Sequence, residues 1–413
     1  MTEYNPNLFV HTADLHLAPR SATIVKRDPY TNRLVRDLDM SDAFERAVDD
    51  ALTQDPLPSA FVIAGDIFDT NQGSQDAIID AATQIKRLRD AGIEIIAIAG
   101  NHDTPTQRKK TPAFQVLKHE FGDIAGDAGV HLSYDEVDKV VVGNIEYVLV
   151  PHLVLMSGGI TREDLQPEGG VEYSVLVVHG IAAGDLTFSQ VDEMKEASVA
   201  PWIMDMPWDY VAFGHYHKPG WIPGYEGKAA YCGSLENTVI SGPDVCHRRG
   251  PVYVDMSASG DSKFQMHPQE IRRIVTLPDI DLADKDVNAE ELDTMITELI
   301  LDADVDGAIV LNTVHNIPKS VIKSMSRRSF QAVNPEMLFI KTRLEAAKEL
   351  PAAVQMNRHD DDSEATGVEG KTSEDAFKPL AAEVKEALDY LCECGEIRES
   401  RKSDIADIIA ALL

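Results

Sequence analysis

Leu8-Phe9-Val10-His11-Thr12-Ala13-Asp14-Leu15-His16 begins as a short apolar run and ends on an acid and an imidazole. The same grammar recurs along the chain. Ala60 to Ala64 leads into Gly65-Asp66-Ile67-Phe68-Asp69, and Ile93 to Ala99 into Gly100-Asn101-His102-Asp103. Tyr173 to Val178 leads into His179-Gly180, and Tyr210 to Phe213 into Gly214-His215-Tyr216-His217. Short runs of Val, Ile, Phe and Leu between amphipathic stretches are the pattern of buried strands, which predicts an α/β domain. Between two of the runs, Ser74 to Ala91 carries Ile78, Ile79, Ala82, Ile85 and Leu88 at helical spacing, with Ala91-Gly92 as the stop. Ligand sites in open α/β sheets lie at the carboxyl ends of strands, so the polar clusters are expected to converge.

Together the clusters supply three oxygen ligands, Asp14, Asp66 and Asn101, and four imidazoles, His16, His179, His215 and His217. A mixed oxygen and nitrogen set suits Mn, Fe or Zn better than Ca or Mg, which prefer oxygen alone. The absence of Cys from the set argues against a structural zinc site. Residues two apart in an extended segment share a face, so Asp14 with His16, and His215 with His217, are each expected to reach one ion from extended backbone. The glycines before Asp66, Asn101 and His215, and after His179, are read as turn formers. His11 is expected to face away from the site. His119, His131, His152, His247, His267, His315 and His359 fall outside the motifs and receive a structural reading.

D-x-H, G-D-x-x-D, G-N-H-D, H-G and G-H-x-H in this order resemble the calcineurin-like metallophosphoesterases. The resemblance implies a β-sandwich flanked by helices in α-β-β-α layers. It makes Asp14, His16 and His217 ligands of one divalent ion and Asp66 a bridge to a second, which Asn101, His179 and His215 complete. His102 would protonate the leaving oxygen, and Asp103 would orient its neighbours. Two such ions clamp a phosphodiester and activate water near neutral pH. The strings His11 to Leu17, Ala64 to Thr70, and Tyr231-Cys232-Gly233-Ser234-Leu235-Glu236-Asn237 are similar to those of SbcD-type DNA repair exonucleases. Asp69 stands where archaeal and eukaryotic relatives of that group carry histidine. It is assigned no catalytic role, only a hold on the following loop. The resemblance further implies Mn, double-stranded DNA ends as substrate for exonuclease and endonuclease action, a homodimer, and an SbcC-like coiled-coil ATPase as partner.

A chain of 413 residues is expected to divide. Residues 1–270 are read as the nuclease domain and 271–350 as a small α/β capping domain, with an exit strand at Ile271 to Pro278 and a helix at Asn288 to Leu301. An acidic flexible linker, 351–375, and a helical partner-binding tail, 376–413, complete the reading. The four cysteines form neither a disulfide framework nor a zinc pattern, and no apolar run approaches the roughly 18 residues of a membrane span, so the expected location is cytoplasmic. A net charge of -31 runs against nucleic-acid binding. Local basic clusters and bound cations offset it, and Arg20, Arg248 and Arg249 are the candidates for phosphate contact. Two other functions stay open: a phosphatase or nucleotide phosphodiesterase, and a non-catalytic scaffold tethering DNA ends.

Overall fold

The computed structural model describes residues 3–20, 24–105, 111–122, 129–182, 197–242, 245–283, 285–325 and 330–347. By contacts the chain divides into Met1–Ala347 and Lys348–Leu413. The expected linker and tail lie outside the described residues.

The chain first alternates strands and helices: β1 (Tyr4–Thr12), α1 (Val35–Leu52), β2 (Leu57–Ile63), α2 (Gln75–Ala91), β3 (Glu94–Ile98), α3 (Ala113–Gly122) and β4 (Val130–Ser133). A hairpin, β5 (Asp138–Val142) and β6 (Ile145–Val150), is followed by short helices α4 (His152–Ser157) and α5 (Arg162–Leu165), then β7 (Tyr173–His179). The two-residue strands β8 (Ile181–Ala182) and β9 (Ser198–Val199) pair with each other, and α6 (Pro201–Met204) leads to β10 (Tyr210–Gly214). β11 (Gly220–Trp221), β12 (Ala229–Tyr231), β13 (Val252–Asp255) and β14 (Phe264–Met266) finish the two large sheets.

Both sheets have six strands, in the orders β14-β13-β1-β2-β3-β4 and β11-β12-β10-β7-β6-β5. Each has four parallel strands, and antiparallel pairing is confined to its margins. They pack face to face because each strand alternates between two buried faces. Phe9, Val62 and Ile96 meet Tyr147, Val175, Val177 and Tyr210 between the sheets. Val10, Phe61, Ile63 and Ile95 face outward onto Phe44 of α1 and Ile85 and Leu88 of α2. On the far side Val148, Leu176, Val211 and Phe213 pack on Leu165, Ile203, Met204 and Trp208. The four-layer α-β-β-α expectation is met.

The helix expected at Ser74 to Ala91 is α2. The Ser74 hydroxyl accepts from the Ala77 N–H, and Gly92 closes the helix at φ 84°. Ile79, placed on the apolar face by spacing, is instead 62% exposed, because Ala77, Ala81, Ile85 and Leu88 form the buried stripe. The hairpin was not anticipated from sequence.

A third sheet follows, built from β15 (Ile274–Thr276), β16 (Ile280–Asp281), β17 (Ile309–Ile317) and β18 (Phe339–Ala346), with α7 (Ala289–Asp302) and α8 (Lys319–Ser324). Asn288 caps α7 in a reciprocal box with Glu291, and Leu292, Ile296 and Ile300 pack on Val310 and Val314. The sheet is tied to the rest of its unit by a small apolar cluster of Ile24 and Val35 with Ile274, Ile309 and Leu338, and by polar contacts. Arg272 ion-pairs with Asp39 of α1, and the Lys26 ammonium donates to the carbonyls of Pro335 and Met337.

Candidate metal centre

The five polar clusters lie at the carboxyl ends of β1, β2, β3, β7 and β10, where the two large sheets face each other. The loops after β1 and β2 continue the ladder side by side, with Asp14 N–H on the Gly65 carbonyl and His16 N–H on that of Asp66. The backbone is not extended there. Asp14, His16, Asp66 and His215 have φ of 53°, 45°, 53° and 106°, so the period-two explanation for Asp14-x-His16 and His215-x-His217 is wrong. Left-handed turns aim these side chains, at a cost of order 1–3 kcal/mol each, which the surrounding packing must carry. Only Gly65 of the motif glycines before ligands acts as a turn former, at φ +95°. Gly100 and Gly214 serve close approach: a Cβ would lie 2.1 Å from Asp66 Oδ1 in the first case and 2.0 Å from the Ala64 carbonyl in the second.

Three overlapping donor groups result among the described residues, one of them His16 with Asp69 and His102 at the rim and the other two deeper. Asp14, His16 and His217 bring ligand atoms within 4.8 Å of one another, as do Asp14, Asp66 and His179. The Nε2 atoms of His16 and His217 are 3.1 Å apart. His179 Nε2 lies 3.2 Å from Asp66 Oδ2 and 2.8 Å from Asn101 Oδ1, and His215 Nδ1 lies 3.3 Å from the same Asn101 oxygen. Asp66 Oδ2 is also 3.9 Å from His16 Nε2, between the two groups.

The opposite ring nitrogens are occupied by the protein. His16 Nδ1 faces Asp69 Oδ1 at 3.2 Å, His179 Nδ1 the Ala64 carbonyl at 2.8 Å, and His217 Nδ1 the Thr238 hydroxyl at 2.6 Å. The hydrogen bonds of His179 and His217 fix their rings at Nδ1, and all three histidines turn Nε2 toward the other donor atoms, the arrangement a metal-binding imidazole requires. Converging buried carboxylates and imidazoles fit a divalent cation of the borderline kind. Asp14, Asp66 and Asn101 with the four histidines could hold such ions.

The electrostatics show the strain of assembling these groups. Burial raises the Asp14 carboxyl. Burial would also raise Asp66, but the His179 and His16 rings beside it outweigh that and hold it below the usual carboxylate range. Burial opposes charge on His179, yet Asp66 and Asp14 push it up to about 9. His16 is likewise raised, by Asp69, Asp66 and Asp14 against burial. His217 moves well down, through burial and then the charge of His16.

His102 stands at the rim. Its N–H donates to Asp66 Oδ1 at 2.8 Å, and its Nδ1 lies 2.7 Å from the Asp69 carbonyl, leaving Nε2 free. Asp103 is buried, and its carboxylate accepts from the N–H groups of Gly100, Ile67 and Phe68 at 3.0, 3.2 and 3.0 Å, which splices the Asp66 loop to the Asn101 loop. Burial, then the Asp66 charge, raises it to about 6. Asp103→Asn turns an amide N–H2 toward a backbone donor, so a loss of about 1–3 kcal/mol is expected in denaturant unfolding. Unchanged stability would remove Asp103 from this role.

Asp69 does more than hold a loop. It accepts from Arg20 N–H at 2.9 Å and touches both His16 and His102, a neighbour to the site that sequence reading set aside. His152 was also passed over: its ring centre is 6.4 Å from that of His179, and burial lowers it to about 4. A Pro-His pair carries no sequence signal for such a place. His11, as expected, points away, into the inter-sheet core, where its Nδ1 meets the Tyr210 hydroxyl at 3.0 Å. Arg249 is not available to phosphate. It is 1% exposed and bonded to protein carbonyls, because its side chain turns under the His217 loop. Arg20 and Arg248 are exposed.

Residues 8–219 match the calcineurin-like phosphoesterase family, just over half of the chain, and the chain belongs to that family. Its relatives include archaeal proteins named DNA double-strand break repair protein Mre11. The one from Methanococcus maripaludis is 26% identical over 61% of this chain and 63% of its own length. The one from Aeropyrum pernix is 27% identical over 67% and 64%, and that of Halobacterium salinarum 23% identical over 74% and 70%. The chain spans about half to two thirds of the length of most of these curated relatives. The resemblance to double-strand-break-repair nucleases therefore stands. Among the described residues, no helix is long and apolar enough to cross a membrane.

Proposed function

We propose that the chain is a DNA nuclease that uses two divalent ions, Mn in this reading, to process double-stranded ends. The observation that carries this reading is the pair of donor groups linked through Asp66, with the free Nε2 of His102 beside them. Ions bound there supply Lewis-acid charge against the phosphodiester and lower the pKa of water. Asp14, His16 and His217 would hold one of them and Asn101, His179 and His215 the other, with Asp66 placed near both groups. His102, anchored at Nδ1, offers a proton from Nε2 to the departing sugar oxygen. Asp103 and Asp69 keep these loops in place. The names of the relatives favour DNA over a small phosphate ester. The partner in this reading is an ATPase of the SbcC kind, and the setting is the cytoplasm.

The test is digestion of end-labelled linear duplex with Mn ions, with bis-p-nitrophenyl phosphate as a small substrate in parallel. Shortened DNA is expected. Cleavage of the small diester with DNA left intact would transfer the assignment to a nucleotide phosphodiesterase, which the net charge of -31 favours, or to a nuclease silent without its ATPase partner. Arg20 and Arg248 are proposed phosphate contacts, and their replacement by Ala should flatten the salt dependence of DNA binding. An unaltered slope would dismiss them.

The proposed homodimer draws on α2 and α3. Ile79 on α2 is 62% exposed and Val116 on α3 42%, and the two helices adjoin, with the Arg89 guanidinium 5.9 Å from the Phe121 ring centre. Large apolar side chains on adjoining helices suit a contact between copies. Ile79→Asp should reduce the mass seen by sedimentation to that of one chain. A persisting dimer would place the contact elsewhere.

A further inference from the structure

Among the described residues Arg249 is one of the largest fully buried side chains, and it contacts the backbone of the donor His217. Its Nη1 donates to the His217 carbonyl, and to the Ser234 hydroxyl at 2.8 Å and carbonyl at 3.3 Å. Its Nε donates to Asn237 Oδ1 at 2.8 Å. These acceptors are themselves fixed. Asn237 exchanges side-chain hydrogen bonds with the Cys246 backbone at 2.9 and 3.0 Å, and its carbonyl accepts from Arg36 of α1. The Ser234 N–H donates to the same His217 carbonyl at 3.2 Å. At Gly233, which has φ +74°, a Cβ would fall 2.8 Å from that carbonyl. Thr238, one residue past Asn237, meets the ring of His217 at Nδ1. The segment 233–238 thus grips His217 at its carbonyl and at its ring, and Arg249 is the pin that joins the grip to the backbone.

We propose that Arg249 is a positioning residue for the ion held by Asp14, His16 and His217, acting through the His217 loop. The proposal rests on the two-ion reading above. A buried guanidinium is costly and persists only where its donors are used. Here its Nη1 and Nε donate to the His217 carbonyl and to Ser234 and Asn237 of the gripping segment, and the planar fork reaches all three at once. A lysine ammonium presents a single point and cannot span them. Groups that orient a metal-binding imidazole typically contribute 10–100-fold to metal affinity. Asp66 Oδ1 accepts instead from the His102 N–H and His179 Nδ1 meets the Ala64 carbonyl, so the second donor group, which shares only His215 with the gripped loop, should respond less.

The experiment is a titration of the chelator-stripped full-length chain with Mn(II), with free ion followed by electron paramagnetic resonance, beside melting curves in chelator. Arg249→Lys and Thr238→Val are compared with the parent. The parent is expected to take up two ions. Each variant should bind one ion about 10–100-fold more weakly and the other with much less change; Thr238→Val should melt near the parent in chelator, whereas Arg249→Lys, which leaves buried acceptors unmet, should melt lower. Thr238→Val removes only the ring contact, so it still reports if Arg249→Lys folds poorly. Two ions bound at parental affinity by both variants would overturn the positioning role while leaving the two-ion reading intact. Equal weakening of both ions would overturn it too, since a general loosening of the fold has that effect. A parent that binds no ion overturns both readings.

Discussion

His102→Ala should cut DNA cleavage by about 10²–10⁴-fold, yet leave hydrolysis of bis-p-nitrophenyl phosphate within about tenfold of the parent. A sugar alkoxide is a poor leaving group and needs a proton as the bond breaks, whereas nitrophenolate leaves without one. The geometry makes the substitution clean. The main chain of His102 donates to Asp66 Oδ1, and that bond survives truncation to Ala. What disappears is the ring whose Nδ1 rests on the Asp69 carbonyl and whose edge meets the His16 ring at a centre distance of 4.8 Å. Parallel rate measurements on the two substrates decide the matter. Equal losses on both would mean that His102 orients the phosphate or His16 and gives up no proton to the leaving oxygen.

How far this was legible in the sequence depended on whether a signal was local. Buried parallel strands read directly, since Phe61, Val62 and Ile63 must be apolar on both faces. So did the capped α2, where Ser74 and Gly92 mark its ends. The hairpin of β5 and β6 did not, because Asp138-Lys139 and Asn144 interrupt the apolar pattern with partners supplied from afar, such as Asn7. The motif order brought out the side chains that converge, but the i and i+2 argument for Asp14 and His16 failed. Period two belongs to extended backbone, and these residues take left-handed φ. Arg249 was misread for a related reason. A charged pair such as Arg248-Arg249 looks like surface, and only the fold reveals that one member turns inward to the carbonyls of His217 and Ser234. Asp69 and Thr238 were invisible as ring anchors because each meets its histidine across the chain, not along it.

Removing the metal should destabilise the protein more at pH 8.5 than at pH 6.5. Without an ion, the imidazolium forms of His179 and His16 take its place beside Asp66 and Asp14. His179 is raised to about 9, from an ordinary value near 6.5, by Asp66 and Asp14 against burial. A histidine raised on folding contributes stability that is complete below its unfolded value and is lost as pH climbs through its folded one, here between about 6.5 and 9. The metal-free protein therefore weakens across that window. Over the same window the ion binds better, since a ligand imidazole must be neutral and each proton displaced makes the affinity rise about tenfold per pH unit. A tenfold gain in affinity is about 1.4 kcal/mol of added stability for the loaded protein relative to the metal-free one at fixed free metal. The two trends are one linkage through the same protons, so the gap between melting temperatures with Mn and with chelator should widen with pH, chiefly because the metal-free protein weakens. Calorimetry at pH 7 in two buffers of different ionisation enthalpy should register the proton release directly. A gap that stays constant from pH 6.5 to 8.5, with no buffer dependence of the binding heat, would mean that the ion enters without displacing protons from His16 or His179, and that these histidines lie outside its coordination.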